Sequence, residues 1–323
     1  MTKRFFPLAL MLAALLCTGL AGAQAWPSKP IKIVIAFGPG SGSDIFARLI
    51  ADQLSRSVGQ PVIVESKPGA SGQIAAEYVA RAPADGYTLF LTTNTTHSAN
   101  PYLFKKLNYD PIKDFTPVAR IGLFPFVLLV DSKLPINSVA ELMAFAKANP
   151  QKTSYAYTSS AGQVAAAALV NSTKMADVVA VAFKSAPEAI TSVVSGQVTF
   201  TVLDFATSQP LVKSGRLRAI AVTPEARTAL APTLPTIAEA TGLTDFGVVA
   251  WQGIFGPANL PPAIVERLST ELLKIITPKE MQERIFSMGA DPAPLGPEEF
   301  KVYVKSQLAV WERQIKIAGM TPE

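Results

Sequence analysis

Residues 31–44 read IKIVIAFGPGSGSD, and residues 45–54 continue as IFARLIADQL. Ile31–Phe37 is an almost unbroken apolar run rich in β-branched residues, the pattern of a strand buried on both faces. Ile45–Val58 has helical periodicity, and Gly59 fits the position just past a helix end. Between them the chain turns through Gly38-Pro39-Gly40-Ser41-Gly42-Ser43-Asp44. A second joint repeats the pattern: the strand Pro61–Glu65, the bend Lys67-Pro68-Gly69-Ala70-Ser71-Gly72-Gln73, and the helix Ile74–Arg81. Each joint sets backbone N–H groups at a helix start, where they lack intrahelical partners and the helix dipole is positive. Such a place suits a negatively charged oxygen, and two of them point to a receptor for a small anion.

Working outward, Tyr87–Thr92 is a third strand and leads into the polar loop Thr93-Asn94-Thr95-Thr96-His97-Ser98. The strand–helix–strand–helix–strand order predicts a parallel α/β sheet. A second set follows, with strands at Leu123–Val130, Tyr155–Tyr157, Val178–Phe183, Val198–Leu203 and Arg218–Val222. Helices are expected from Asn137/Ser138 to Ala148, after the small-residue loop Thr158–Gln163, and near Pro187–Ser195. The tail changes in kind. Trp251–Pro257 reads as an extended return segment, followed by helices at Pro262–Ile276, Pro278–Met288 and Pro297–Ala318, each opening on a proline suited to the first helical position. The fold class predicted is α/β, with two lobes and a ligand cleft between them: residues 26–128 plus 248–323, and residues 129–247. In such sheets ligands sit beyond the carboxyl ends of the strands, where these loops lie.

Residues 1–25 read as a cleavable export signal. Lys3 and Arg4 precede an apolar stretch, Leu8–Leu16, and Ala23-Gln24-Ala25 offers a small-x-small cleavage site before Trp26. The stretch is shorter than the ~20 residues a membrane span needs, and a retained anchor is the alternative reading. The only cysteine, Cys17, follows the bulky Leu16, which argues against a lipoprotein box. Export would leave a chain without thiol or disulfide chemistry, and a bacterial periplasm is its natural destination. Loss of Lys3 and Arg4 lowers the formal net charge from +5 to +3. With no Lys/Arg block, nucleic acid is not an expected partner. With 323 residues and 49% hydrophobic content, two lobes can each bury a core.

Catalytic signatures are weak. Gly38-x-Gly40 after a strand starts a dinucleotide fingerprint, but Ser43 stands where its third glycine belongs; Glu65 at the next strand end is the matching acidic position. A secreted or nucleotide-dependent α/β enzyme is therefore the rival reading. Asp44 is expected to cap the helix or bond the loop backbone, since a free carboxylate there would repel an anion. His97 is the sole histidine, and a ligand hydrogen bond and a loop-stabilising one both fit it. Lys184 suits either an anion's counter-charge or a solvated surface. Asp204 can order the cleft loops, the favoured role, or accept a ligand donor. No nucleophile–base pair, metal cluster or G-x-S-x-G elbow occurs, so no catalytic residue, metal or cofactor is expected.

Segments spanning nearly all of the chain after residue 25 resemble the Bug family, the TctC-like periplasmic receptors of tripartite tricarboxylate transporters. They are WPSKPI (26–31), FGPGSGSD (37–44), KPGASGQIAAEYVARAPADGYTL (67–89), NPYLFKKLNYDPIKDFTPVARIG (100–122), SGRLRAIAVT (214–223), LPTIAEA (234–240) and WQGIFGPANLPPAIVERL (251–268). The resemblance implies a two-lobe Venus-flytrap fold and a monomeric receptor without catalysis. Its partners would be a small carboxylate and the membrane components of a tripartite transporter. It implies carboxylate fingers at the loops Gly38–Asp44 and Gly69–Gln73, with ligand contacts expected from Gly38, Gly40, Ser41, Gly42, Ser43 and Asp44 and from Ala70, Ser71 and Gly72; Phe37 before the first loop, and Thr93, Asn94 and His97 at the third strand's end, are further ligand candidates. The opposite lobe would supply Ser159, Ser160, Gly162 and Gln163, then Lys184, Ser185 and Asp204. The sequence departs from the family where paired glycines become Gly40-Ser41-Gly42 and Ala70-Ser71-Gly72, where VAAAALVNS (164–172) is less polar, and where a Tyr-Lys-Gly becomes Phe183-Lys184-Ser185. These departures bear on the ligand, and a more apolar distal wall would suit an aromatic or longer aliphatic acid.

Overall fold

The computed structural model describes residues 26–323 except Ala176. The expected signal segment, residues 1–25, and Cys17 within it lie outside the described residues. The chain opens β1 (Ile31–Ile35), α1 (Gly42–Val58), β2 (Val62–Ser66), a 3-10 turn (Ala70–Gly72), α2 (Gln73–Ala80) and β3 (Thr88–Thr93). A π-helical turn (Thr95–Ala99) and α3 (Asn100–Leu103) lead to the long β4 (Phe115–Asp131). Then come α4 (Val139–Ala148), β5 (Ser154–Tyr157), α5 (Ser160–Ser172), β6 (Val179–Ala182), α6 (Ala186–Val194), β7 (Phe200–Asp204), α7 (Phe205–Lys213), β8 (Leu217–Val222) and α8 (Ile237–Thr241). β9 (Val249–Pro257), α9 (Pro262–Ile276), α10 (Lys279–Ser287), β10 (Asp291–Leu295) and α11 (Pro297–Ile317) complete it.

The apolar run at the start does what its pattern predicts. Ile31, Ile33, Val34 and Ile35 are buried, and β1 pairs in parallel with β2 on one side and β3 on the other. Gly59 ends α1 in the left-handed conformation at φ 70°, and its N–H reaches the Ser55 carbonyl. Such a backbone favours glycine because a Cβ would clash there.

Strand pairing falls into two groups joined by β4. Phe115–Pro125 of β4 pairs with β9, which pairs in turn with β3; β10 pairs with β4 on its other edge. Phe126–Val130 pairs with β7, and Val127–Asp131 with β8, while β7, β5 and β6 run parallel. The fold is a two-lobe α/β fold, and the long strand β4 carries the chain from one strand group to the other.

Three local expectations shift. β4 begins at Phe115 rather than Leu123, because TPVARI pairs with β9 despite Pro117, where the register slips. β10 reads DPAPL, two prolines that mask a strand; it is tolerated because β10 pairs only with β4 and needs no ladder on its other edge. Pro278 is the N-cap of α10 rather than its first helical residue, whereas Pro262 and Pro297 sit inside the first turns of α9 and α11.

Candidate functional site

A small cavity lies between the two strand groups. Its wall comes from chain segments that follow the carboxyl ends of parallel strands: Phe37 and Ser41–Ser43 after β1, Thr93–Thr95 at the end of β3, Thr158, Ser159 and Ala161 after β5, Ala186 after β6, and Asp204 at the end of β7. Phe124 and Phe126 of β4, with Ala250 and Gln252 of β9, close it across the strands that span the molecule. The cavity volume is about 40 Å³, room for a few water-sized groups.

Four helix starts converge on this space. Ser41 caps α1, its hydroxyl oxygen accepting the Asp44 N–H at 3.2 Å. Ser159 caps α5 through the Gly162 N–H, Ser185 caps α6 through the Glu188 N–H, and Asp204 caps α7 through the Thr207 N–H. At α1 and α5 the caps consume the third amide of the turn. The Gly42 and Ser43 amides of α1, and the Ser160 and Ala161 amides of α5, take no hydrogen-bond acceptor among the described residues. Unpartnered first-turn amides carry the positive end of the helix dipole, about half an elementary charge per helix. Among the wall residues the only ionisable side chain is Asp204; no Lys, Arg or His reaches the cavity. The attraction offered to an anion is therefore made of neutral dipoles.

Side chains on the wall are left wanting partners. Both ends of the Asn94 amide, Thr95 Oγ1 and Gln252 Oε1 are buried without a hydrogen bond. Asn94 is 0% exposed, Thr95 1% and Gln252 4%. Buried polar groups are normally paired, because an orphan carries its desolvation cost. A cluster of orphans around one space leaves hydrogen bonds there for a solute or water to complete. Thr95 and Gln252, like the apolar wall of Phe124, Phe126, Ala161, Ala186 and Ala250, were not singled out from the sequence. The cue available was Gln252, a polar residue inside the apolar stretch WQGIFG.

The expected site residues divide. Phe37, Ser41, Gly42, Ser43, Thr93, Asn94, Ser159 and Asp204 meet at the cavity. Gly38 and Gly40 do not line it; they let the bend pack against the second strand group, where an added Cβ on Gly38 would lie 3.2 Å from the Lys184 carbonyl and one on Gly40 3.3 Å from Pro187. Asp44 turns back on the loop: Oδ2 accepts the Gly40 N–H at 3.0 Å and Oδ1 pairs with Arg48 at 2.9 Å. This removes its negative charge from the helix mouth, as the sequence required.

The second glycine bend stands apart from the wall. Ala70 and Ser71 are exposed with φ of 46° and 50°, and the Ser71 carbonyl accepts the Asn100 side chain at 3.0 Å. Gly72 is buried, and a Cβ there would meet Thr96 and Ala36 at 2.8 and 3.0 Å. Within α5, Ser160 Oγ bonds Asn100 at 3.4 Å, Gln163 donates its backbone N–H to the Ser159 carbonyl, and Gly162 is required by the Val202 carbonyl packed where its Cβ would stand. Lys184 is exposed and Ser185 serves α6, so neither side chain lines the cavity.

His97 is a core residue. Its ring stacks on Phe255 at 4.2 Å and lies 4.7 Å from Phe115, with Phe90 and Trp251 around it. Nδ1 bonds Thr96 Oγ1 at 2.9 Å. Burial lowers its pKa to about 3, so the ring is neutral and holds the π turn in place. Asp204 is pushed the other way, its carboxyl raised by burial despite hydrogen bonds from the Thr207 N–H and hydroxyl, both at 2.9 Å.

The sequence model described as "Tripartite tricarboxylate transporter family receptor", TctC, matches residues 46–320. The chain belongs to that family. Its structural relatives include Rpa4515 of R. palustris with adipate, 33% identical with a TM-score of 0.88 over 92% of this chain and 100% of that one. The periplasmic binding protein BugD is 29% identical, with a TM-score of 0.85 over 92% of this chain and 100% of that one. MatC of Rhodopseudomonas palustris with bound malate is 29% identical, with a TM-score of 0.82 over 90% of this chain and 100% of that one. These are solute-binding receptors and not enzymes, and so is this Bug-type chain.

Proposed function

We propose that this chain is a periplasmic receptor that captures a small carboxylate in the cavity between its lobes and delivers it to the membrane components of a tripartite tricarboxylate-type transporter. The observation that carries the reading is the meeting of unpartnered helix-start amides with unpartnered Asn94, Thr95 and Gln252 around a single space. Family membership supports the transporter as partner, and the adipate- and malate-bound relatives support a carboxylate as ligand. The lobes are residues 26–128 plus 248–323, and residues 129–247, a division supported by the two strand groups; they close on the ligand as a Venus flytrap. The protein acts as a monomer after export by its residue 1–25 signal.

Thermal unfolding in the presence of mono-, di- and tricarboxylates, adipate and malate among them, tests this reading. A true ligand at 100 times Kd adds about 2.7 kcal/mol of stability. Stabilisation by a nucleotide or a metal ion, with no carboxylate effective, would overturn it.

A further inference from the structure

We propose that a groove on the second strand group, separate from the cavity between the strand groups, binds an amphipathic monoanion, an acid with a medium-chain or aromatic apolar body. The proposal does not depend on which solute the cavity takes.

The groove is lined by α7, β8 and the segment that follows β8, and its volume is about 640 Å³. Small-molecule sites span roughly 300–1,000 Å³ and combine apolar walls with a few convergent polar groups. α7 contributes Phe205, Ser208, Gln209, Val212 and Lys213, whose spacing of three and four residues puts them on one helix face. Val127 of β4 lines the groove with Leu217 and Ala219 of β8. Val212, Ala219, Leu230, Ala231 and Leu234 are only half-buried there. Their uncovered apolar surface favours a ligand that removes it from water.

β4 separates the groove from the cavity. Phe126 lines the cavity and its neighbour Val127 the groove, because successive side chains of a strand point to opposite faces. Asp204 faces the cavity, and Phe205, the first residue of α7, faces the groove.

Charge gives the groove a direction. Among the described residues that line it, the only ionisable side chains are two cations, Lys213 and Arg218. Arg218 is fixed in place: Nη1 donates to the Leu134 and Ile136 carbonyls at 2.8 and 3.1 Å, and Nη2 to the Ser132 carbonyl at 2.8 Å. Those acceptors are neutral, and neither cation forms an ion pair among the described residues. Asp131, beside Ser132, is buried with Oδ1 accepting the Lys133 N–H at 3.1 Å. The Pro210, Leu211 and Val212 carbonyls at the end of α7 already accept the Ser214, Arg216 and Gly215 amides. Asp204 opposes Phe126 in the β4–β7 register, so α7 starts near Val127. Leu217 opposes Asp131, so β8 starts at the other end, beside Lys213 and Arg218. From Phe205 to Lys213 the helix rises about 12 Å. An anionic head placed at the cations therefore lays its apolar body along α7 toward Phe205 and Val127, where no charged side chain meets it.

The test is fluorescence titration of the full chain with anilinonaphthalene sulfonate, an aromatic body carrying one negative charge. A single saturable site per chain is expected. Octanoate should displace the probe; octanol, which has the body alone, and acetate, which has the charge alone, should not do so at the same concentration. Lys213→Glu, a change at an exposed position, should weaken both probe and octanoate about fivefold or more. Ala219→Phe, which fills the groove from β8, should remove the saturable site; if that variant fails to fold, Lys213→Glu alone decides. Asn94→Leu, on the cavity wall, should leave probe affinity within about twofold. The absence of a saturable site, octanol displacing as well as octanoate, or unchanged affinity in Lys213→Glu overturns the proposal. Loss of the probe in Asn94→Leu also overturns it, since the probe would then sit in the cavity.

Discussion

Gly42 is where the helix start, the cavity and the opposite strand group meet, and under the proposed flytrap closure its replacement separates folding from closing. A Cβ at Gly42 would stand 2.7 Å from Asp204 Oδ1 and 2.9 Å from its Cγ. Ordinary contact begins near 3.4 Å, so one side must yield by about 0.7 Å. Asp204 is not free to swing away, because Oδ1 holds the Thr207 N–H and hydroxyl at the start of α7. Giving up that cap costs about 1 kcal/mol, and keeping it against the new methyl costs about 1–3 kcal/mol of overpacking. Gly42→Ala has no strained backbone to resist it, since Gly42 lacks a positive φ, and alanine is the better helix former by up to about 1 kcal/mol. The penalty thus falls on the arrangement in which the two strand groups touch. Calorimetric titration should show affinity reduced roughly 5- to 150-fold, the equivalent of 1–3 kcal/mol, while thermal unfolding without ligand is unchanged or higher. Wild-type affinity, or a loss of affinity matched by a loss of unliganded stability, would refute the reasoning.

Asn94→Leu removes an amide whose two ends lack partners; unliganded stability should rise by about 1–3 kcal/mol while carboxylate binding falls at least tenfold, and loss of stability would count against an unsatisfied Asn94. His97 is neutral when folded and protonates near pH 6.5 when unfolded, so acid favours the unfolded chain. From pH 7 to 5 that linkage costs about 2 kcal/mol, since the folded pKa is only about 3. His97→Phe keeps the stack on Phe255 and leaves Thr96 Oγ1 its Thr92 partner; urea unfolding at both pH values should show the wild type losing more stability than the variant, and equal losses would sink the assignment. The difference between the two proteins is the useful quantity, because Asp204 and Asp291, raised by burial, gain stability as pH falls. Ser71→Ala should leave affinity within about twofold, as expected of an exposed side chain away from the wall; a tenfold loss would restore the second bend to the site.

Much of this molecule is written locally. Period-2 and period-3.6 patterns, a glycine at the end of α1, and serine caps at α1, α4, α5 and α6 are signals carried within a few residues. The α1 half of the site was legible for the same reason: Ser41, Gly42 and Ser43 are consecutive, and a helix start defines their geometry. What stayed hidden depends on neighbours remote in sequence. Gln252 enters the wall because β9 lies between β3 and β4, and Phe124 and Phe126 because β4 runs through both strand groups. His97 looked like a loop residue; only the fold brings Phe90, Phe115, Trp251 and Phe255 around it. The second glycine bend repeats the local pattern of the first, yet the turn at Ala70–Gly72 sends its amides elsewhere, which no local motif announces.

The absence of a cation from the wall has a physical logic. A lysine or arginine buried there would need a counter-charge whenever no solute was bound, and an unpaired buried charge costs several kcal/mol. Neutral orphans are cheaper, about 1–3 kcal/mol each. Asn94, Thr95 and Gln252 are such orphans, and the one charged wall group, Asp204, shares its burden with Thr207. Helix-start amides add a further advantage. They are fixed by the helices behind them, so they require no side-chain ordering when an anion arrives and no reorganisation when it leaves. A receptor that must release its solute gains from holding it with rigid dipoles, whose pull is strong in low-dielectric surroundings and weak in water.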